Sequence, residues 1–273
     1  MKKNPLAAAL LALPAMALAQ APAQPREPSP FSVTGNMQLV SSYRFRGIDQ
    51  TFGKPALQGG IDLAHASGLY LGNWNSNVNE GAGYPNASLE MDFYGGWKPK
   101  FGGDFFIDAG YIYYYYPGSE AGNLQQFTPT NNRTGEFHVG PVNNKEVYFG
   151  AGWKTISVKY FYSAGDYFSY PGTKGSDYVD ASASYTFDNG WGVNAHWGHL
   201  RFKTMIDADY SDWKLGITKD VGGWILGASY VGTSAKGDCS AVPAQFYCYL
   251  NASGTLTKDA GRKTAVLSIG KTF

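Results

Sequence analysis

The last ten residues read TAVLSIGKTF (264–273), and their alternation decides the fold. Ala265, Leu267, Ile269 and Phe273 fall on one side of an extended chain; Thr264, Ser268, Gly270 and Thr272 fall on the other. Side chains alternate across a strand, so this segment reads as a strand with one apolar and one polar face. The pattern runs to the final aromatic, where most chains end in loose polar residues.

The same period recurs upstream. ASLEMDFYGGW (87–97) sets Leu89, Met91, Phe93 and Trp97 against Glu90, Asp92 and Tyr94. KTISVKYFYS (154–163) sets Ile156, Val158, Tyr160 and Tyr162 against Ser157, Lys159 and Ser163. DYVDASASYTF (177–187) sets Val179, Ala181, Ala183 and Tyr185 against Asp180, Ser182 and Ser184. SDWKLGITK (211–219) sets Trp213, Leu215 and Ile217 against Asp212, Lys214 and Thr218. Helical periodicity is hard to find after the first 20 residues. The predicted strands are 34–46, 56–65, 69–78, 87–97, 105–116, 146–153, 156–163, 178–187, 191–199, 210–219, 224–233 and 263–273. That is about twelve, each near the length of a tilted strand crossing a hydrocarbon layer.

Alternation alone also fits a soluble sandwich or another secreted β-protein. The connections decide. AHASG, KPKFGG, KT, DNG and DVGG are tight, while 117–145, 234–262, GIDQTFGKP, NEGAGYPN, GDYFSYPGTKGS and LRFKTMIDAD are long, and the two kinds take turns. Such a rhythm trims one end of a barrel and elaborates the other, as in outer-membrane barrels with short periplasmic turns and long extracellular loops. The aromatics agree. Trp97, Trp153, Trp191 and Trp224 flank tight turns on the apolar face, with Phe105, Phe187 and Phe273 at that level. Tyr43, Phe45, Tyr113, Tyr115, Tyr160, Tyr162, Trp197, Trp213 and Tyr230 form a second belt at the other end. Two aromatic girdles around an apolar band suit a membrane.

The N-terminus, MKKNPLAAALLALPAMALAQ, has a basic start, a short apolar core and Ala17-Leu18-Ala19, the form of a cleavable secretory signal over 1–19. Residues 20–30 are Pro-rich and read as a linker, leaving 31–273 for the barrel. The terminal strand ending in Phe273 looks like the signal read by the barrel-assembly machinery of outer membranes. Charged residues are only 16% of the chain and formal net charge is +1, so no bulk field suggests nucleic acid.

These residues also carry a resemblance. LVSSYRFRGIDQTFGKPALQGGIDLAHASGLYLGNW, ASLEMDFYGGW, DAGYIYYYYPG, YSDWKLGITKDVGG and LSIGKTF resemble the TorF family of proteobacterial porin-like proteins, also described as conserved hypothetical proteins. The resemblance covers nearly all of 33–273, and YRFRG with PALQGG is its most specific part. It implies an outer-membrane barrel and, with it, transport. The loops 119–144 and 234–262 depart from the pattern.

Function then lies in the lumen. The polar faces carry the acids Asp62, Glu90, Asp92, Asp108, Glu146, Asp180 and Asp212 against Arg44, Arg46, Lys159 and Lys214, with His196 among them. Charges in a narrow bore are costly unless paired, so contacts across the lumen are expected. Arg44 and Arg46, placed on one face of the first strand, are the expected constriction. The acid excess predicts a mild preference for cations or neutral polar solutes. Partners are outer-membrane lipid and a small solute; no cofactor or metal site is expected. Cys239 and Cys248 share one long loop of an exported chain and are expected to form a disulfide. Ser184, His196 and Asp180 share a face and could begin a Ser-His-Asp set, but ordinary lumen residues are the better reading, and an enzyme is not expected. The alternative to a channel is a plugged barrel with a structural, adhesive or lipid-modifying role.

Overall fold

The computed structural model describes residues 29–80, 87–126 and 136–273; the expected signal lies outside them, as does most of the linker. Twelve long strands form: β1 (Phe31–Val40), β2 (Ala56–His65), β3 (Leu69–Asn77), β4 (Leu89–Trp97), β5 (Phe105–Tyr115), β6 (Asn143–Trp153), β7 (Ile156–Ser163), β8 (Asp177–Thr186), β9 (Trp191–Arg201), β10 (Tyr210–Val221), β11 (Trp224–Thr233) and β12 (Thr264–Thr272). Each pairs antiparallel with its neighbours in sequence. The ring closes where β1 meets β12, with Asn36 opposite Thr272 and Val40 opposite Ser268. Phe273 and Gly35 exchange both backbone hydrogen bonds, at 2.8 and 3.2 Å. Closure leaves no unpaired edge, the condition for a β-structure in lipid.

The barrel is apolar outside and polar inside. Leu57, Ile61, Leu71, Leu215 and Leu267 are each 58–63% exposed, whereas Glu90, Glu146 and Asp212 are at most 1% exposed. A water-soluble fold has the reverse arrangement. Beside the tight turns, Trp97, Trp153, Trp191 and Trp224 are each 38–46% exposed. Lysines accompany three of them: Lys154 stands 4.6 Å over Trp153, Lys219 5.3 Å over Trp191 and Lys271 5.4 Å over Trp224. Trp213 packs edge-on against Tyr230 at 5.6 Å, toward the other end.

Three expectations need correction. The first strand ends at Val40, not residue 46, and residues 41–55 fold away from the wall. Tyr43 therefore does not join the outer belt; it is 7% exposed, in an inner core. Phe45 belongs to the same loop and packs edge-on against Phe168. The sixth strand begins at Asn143, three residues earlier than the pattern suggested, so the third long loop is shorter.

Candidate functional site

The site begins with residues 41–55, the connection from β1 to β2. Arg44–Phe45 and Ile48–Asp49 pair as a small hairpin whose two turn residues, Arg46 and Gly47, have φ of 46° and 79°. Two positive φ values define the type I′ turn that suits a tight hairpin. Gly47 is required twice over, because a Cβ there would clash with Thr233 Cγ2 and lie 2.8 Å from Asp212 Cβ. For Arg46 the left-handed conformation costs roughly 1–3 kcal/mol, so something must hold it.

What holds it lies across the bore. The Arg46 guanidinium donates to Glu146 Oε1 at 2.9 Å and Oε2 at 2.7 Å, a bidentate pair with β6, which is nearly opposite β1 in the ring. Both side chains are buried, 5% and 2% exposed. Arg46 also donates to Tyr167 at 3.0 Å and lies 4.2 Å from the Tyr178 ring centre and 5.2 Å from that of Phe161. Burial, the largest influence, opposes its charge, but the Glu146 carboxylate more than offsets this and holds Arg46 ionised well above its ordinary range.

The hairpin is anchored on its own side too. Asp49 meets Lys258 at 2.9 Å and Arg44 at 3.5 Å, and its backbone N–H donates to Ala260 O at 2.9 Å. Arg44 donates to the same Ala260 carbonyl at 3.0 Å. Burial favours a neutral Asp49, yet Arg44, Lys258 and the Gly53 N–H together hold its carboxyl below the usual range. The expected pair of arginines on one strand face is thus corrected. Neither is on β1, Arg44 stays within the loops, and Arg46 crosses the bore.

The remaining candidates fall into three groups, all facing inward. Around the crossing, Glu90 accepts from the Tyr116 phenol at 2.8 Å, and Asp92, a neighbour on the same face of β4, is also buried. On the wall beside it, His196 Nδ1 is 3.1 Å from Asp180 and Nε2 is 2.9 Å from Asp212, which also accepts from Tyr178 at 2.8 Å. Ser182 lies opposite His196 in the ladder and Ser184 opposite Asn194. Both ring nitrogens are therefore engaged by carboxylates, an arrangement that leaves none aimed at Ser184. Lys214 lies opposite His196 on β10 and is exposed to the bore. Toward the short turns, Asp62 accepts from the Tyr94 phenol at 2.6 Å, and Asp108 from Lys159 at 2.5 Å and Tyr70 at 2.7 Å. This third group borders a cavity of about 940 Å³.

The end carrying the long connections is filled differently. Phe202 packs on Tyr170 and Phe246 at 5.6 and 5.5 Å, and Tyr210 on Tyr247 at 5.1 Å. Together with Phe168 they leave a void of about 50 Å³. Cys239 and Cys248 are disulfide-bonded and bracket Phe246 and Tyr247. The phenols Tyr70, Tyr94, Tyr148 and Tyr178 join the lumen carboxylates although none is a candidate from charge alone, because a tyrosine on a polar face carries no charge to mark it. Their even position on the carboxylate face was the available signal.

A closed antiparallel ring with a lipid-compatible outer wall and a charged lumen defines a transmembrane β-barrel of the outer-membrane type. The chain belongs to a bacterial family, Gcw_chp, described as a bacterial protein of unknown function, whose model matches residues 24–273. Among solved structures, the KdgM porin is similar over 88% of this chain and 97% of that one, at 8% identity and a TM-score of 0.48. For the NanC porin the values are 89%, 99%, 7% and 0.49. For OmpT of Vibrio cholerae they are 89%, 97%, 11% and 0.41. No curated protein matches the chain.

Proposed function

We propose that this chain is exported by a cleavable signal to the bacterial outer membrane and works there as a channel for small polar solutes or ions. The barrel-assembly machinery takes it up through the terminal strand, the short turns face the periplasm, and the long loops face outward. In the described conformation its first long loop closes it.

The observation that carries this reading is the origin of the obstruction. The wall does not fill the bore at the crossing; a separable hairpin of six residues (44–49) does, held by one bidentate pair on the far side. On its short-turn side lies a cavity of about 940 Å³, space that a permanently filled barrel has no reason to keep. The TorF resemblance points to transport as well. With Arg46 withdrawn, Glu146, Glu90 and Asp92 would face the bore unneutralised, which favours cations or neutral polar solutes over anions in that stretch.

A second reading, a barrel plugged for a structural or adhesive role, draws support from the aromatic packing over the long-loop end. Planar-bilayer recordings separate the two. Arg46→Met combined with Glu146→Gln removes the latch without stranding a buried charge. The double variant should conduct several-fold more than the parent, with a reversal potential toward cation preference. Silence in both proteins favours the plug, and firm anion selectivity in the variant contradicts the charge assignment.

A further inference from the structure

The cavity near the short turns differs in charge from the rest of the lumen. Two carboxylates face it, and both are engaged: Asp62 by Tyr94, and Asp108 by Lys159 and Tyr70. Two more lysines, Lys98 and Lys100, line it from the tight connection between β4 and β5. Among the described residues neither forms an ion pair. Three lysines against two carboxylates give this lining an excess of one positive charge.

Lys98 is not one more interfacial lysine reaching for lipid. Lys154, Lys219 and Lys271 each stand over a tryptophan of the outer wall. Lys98 instead turns inward and stands 4.4 Å over the ring of Phe106, which shares the lumen face of β5 with Asp108. Its ammonium is held below its ordinary range, first by burial and then by Lys159 and Lys100, against the attraction of Asp108. An added negative charge would counter the repulsion from those two lysines and offset the cost of burial.

The remainder of the lining limits what carries that charge. Tyr70 and Tyr148 meet through their hydroxyls, and both line the cavity together with Tyr94. Such a surface suits a carbon frame bearing hydroxyls, and the volume is ample for a molecule of sugar size.

We propose that this vestibule binds a small hydroxylated carboxylate of sugar-acid type, its carboxylate taken by Lys98 with Lys100 and its frame by the three tyrosines. The site opens at the short-turn mouth, so binding does not depend on whether the bore conducts.

Titration calorimetry on the full barrel in detergent at low ionic strength tests this with gluconate, its uncharged counterpart sorbitol, and inorganic phosphate. Gluconate should bind at least about tenfold more tightly than sorbitol, and added salt should weaken it. Lys98→Gln should cost roughly fivefold in gluconate affinity, Lys98→Arg should restore most of it, and Lys174→Gln, among the long loops, should change nothing. The heat-modifiable gel band confirms that each variant is folded. Equal affinity for sorbitol, an unaffected Lys98→Gln variant, or no gluconate binding by folded barrel overturns the site. Phosphate binding more tightly than gluconate overturns the carboxylate assignment. Conductance read separately on the same proteins keeps this result distinct from the channel reading.

Discussion

The two halves of the lumen are built on different terms. Toward the short turns, the wall makes the space: Asp62, Tyr70, Tyr94, Asp108 and Lys159 all project from strands, and the cavity between them is open. Toward the long loops, the wall is only a container. Its contents are residues 41–55 and the aromatic segments around Phe168, Phe202 and Phe246, which pack on one another. Wall residues are fixed by the ladder and cannot move without breaking strand pairing. Loop residues are held by side-chain contacts that are broken at far lower cost. Stability should therefore reside in the wall and control of the bore in the loops.

The largest expected effect breaks this comparison at its base. Phe273→Asp places a charge at the short-turn interface, at the end of the strand that closes the ring, where Phe273 pairs with Gly35. Outer-membrane fractions should lose most of the heat-modifiable barrel. Replacing residues 44–49 with a Gly-Ser linker should leave that band intact while conductance rises strongly. Comparable assembly defects in both variants would mean that the loop is part of the folded wall, and the division between halves would fail.

A smaller effect sharpens the same division at one atom. Gly47→Val adds a β-branched side chain at φ of 79°, against Thr233 and Asp212. The hairpin tip cannot seat, and the strained geometry alone costs more than about 1 kcal/mol. Conductance should rise, though less than with the linker, because Arg44 and Asp49 still hold the hairpin base. Unchanged single-channel traces would show that the tip is not where closure is decided.

The two halves also differed in how legible they were. The faces of the wall strands were legible, because a period of two admits only two choices and one of them must face lipid. Asp180, His196 and Asp212 were read as lumen residues and do meet there. The loop half was misread at one point. Tyr43 and Phe45 continue the alternation after the chain has left the wall at Val40, since a hairpin inside the bore has the same period as a strand beside lipid. Periodicity reports an extended chain with two unlike faces, but not which apolar surroundings the second face meets. The Arg46-Gly47 pair was the missed mark, a two-residue turn between alternating stretches. The partner of Arg46 was beyond reach from sequence, because Glu146 is one hundred residues away and any inward acid satisfied the pattern.

Acid should loosen the hairpin base. The Asp49 carboxyl is held below its unfolded value by Arg44 and Lys258 despite its burial. A depressed carboxylate contributes stability that is complete above the unfolded value of about 4 and is lost as pH falls through the folded value. Closure should therefore be insensitive from neutral pH to about 4 and weaken below it. Asp49→Asn should already show the weakened state at neutral pH and lose most of the difference between pH 7 and 3. Identical acid profiles for parent and variant would place the response on another group.

The smallest effect concerns the disulfide. Cys239 and Cys248 are nine residues apart, and a ring of that size constrains the unfolded chain by roughly 2–3 kcal/mol. That stabilisation acts on a loop, so the double Cys→Ser variant should melt as a barrel within error of the parent. Its influence should appear above the wall instead. Phe246 and Tyr247 lie inside the ring, and Tyr247 accepts from the Ala260 N–H, whose own carbonyl holds Asp49 and Arg44. Slack in the ring is thus passed to the hairpin base through two backbone bonds. Hydrogen exchange at Tyr247, Ala260 and Asp49 should quicken several-fold in the variant while the amides of β5 and β6 stay protected. Faster exchange in those strands would show that the loops and the wall unfold as one unit.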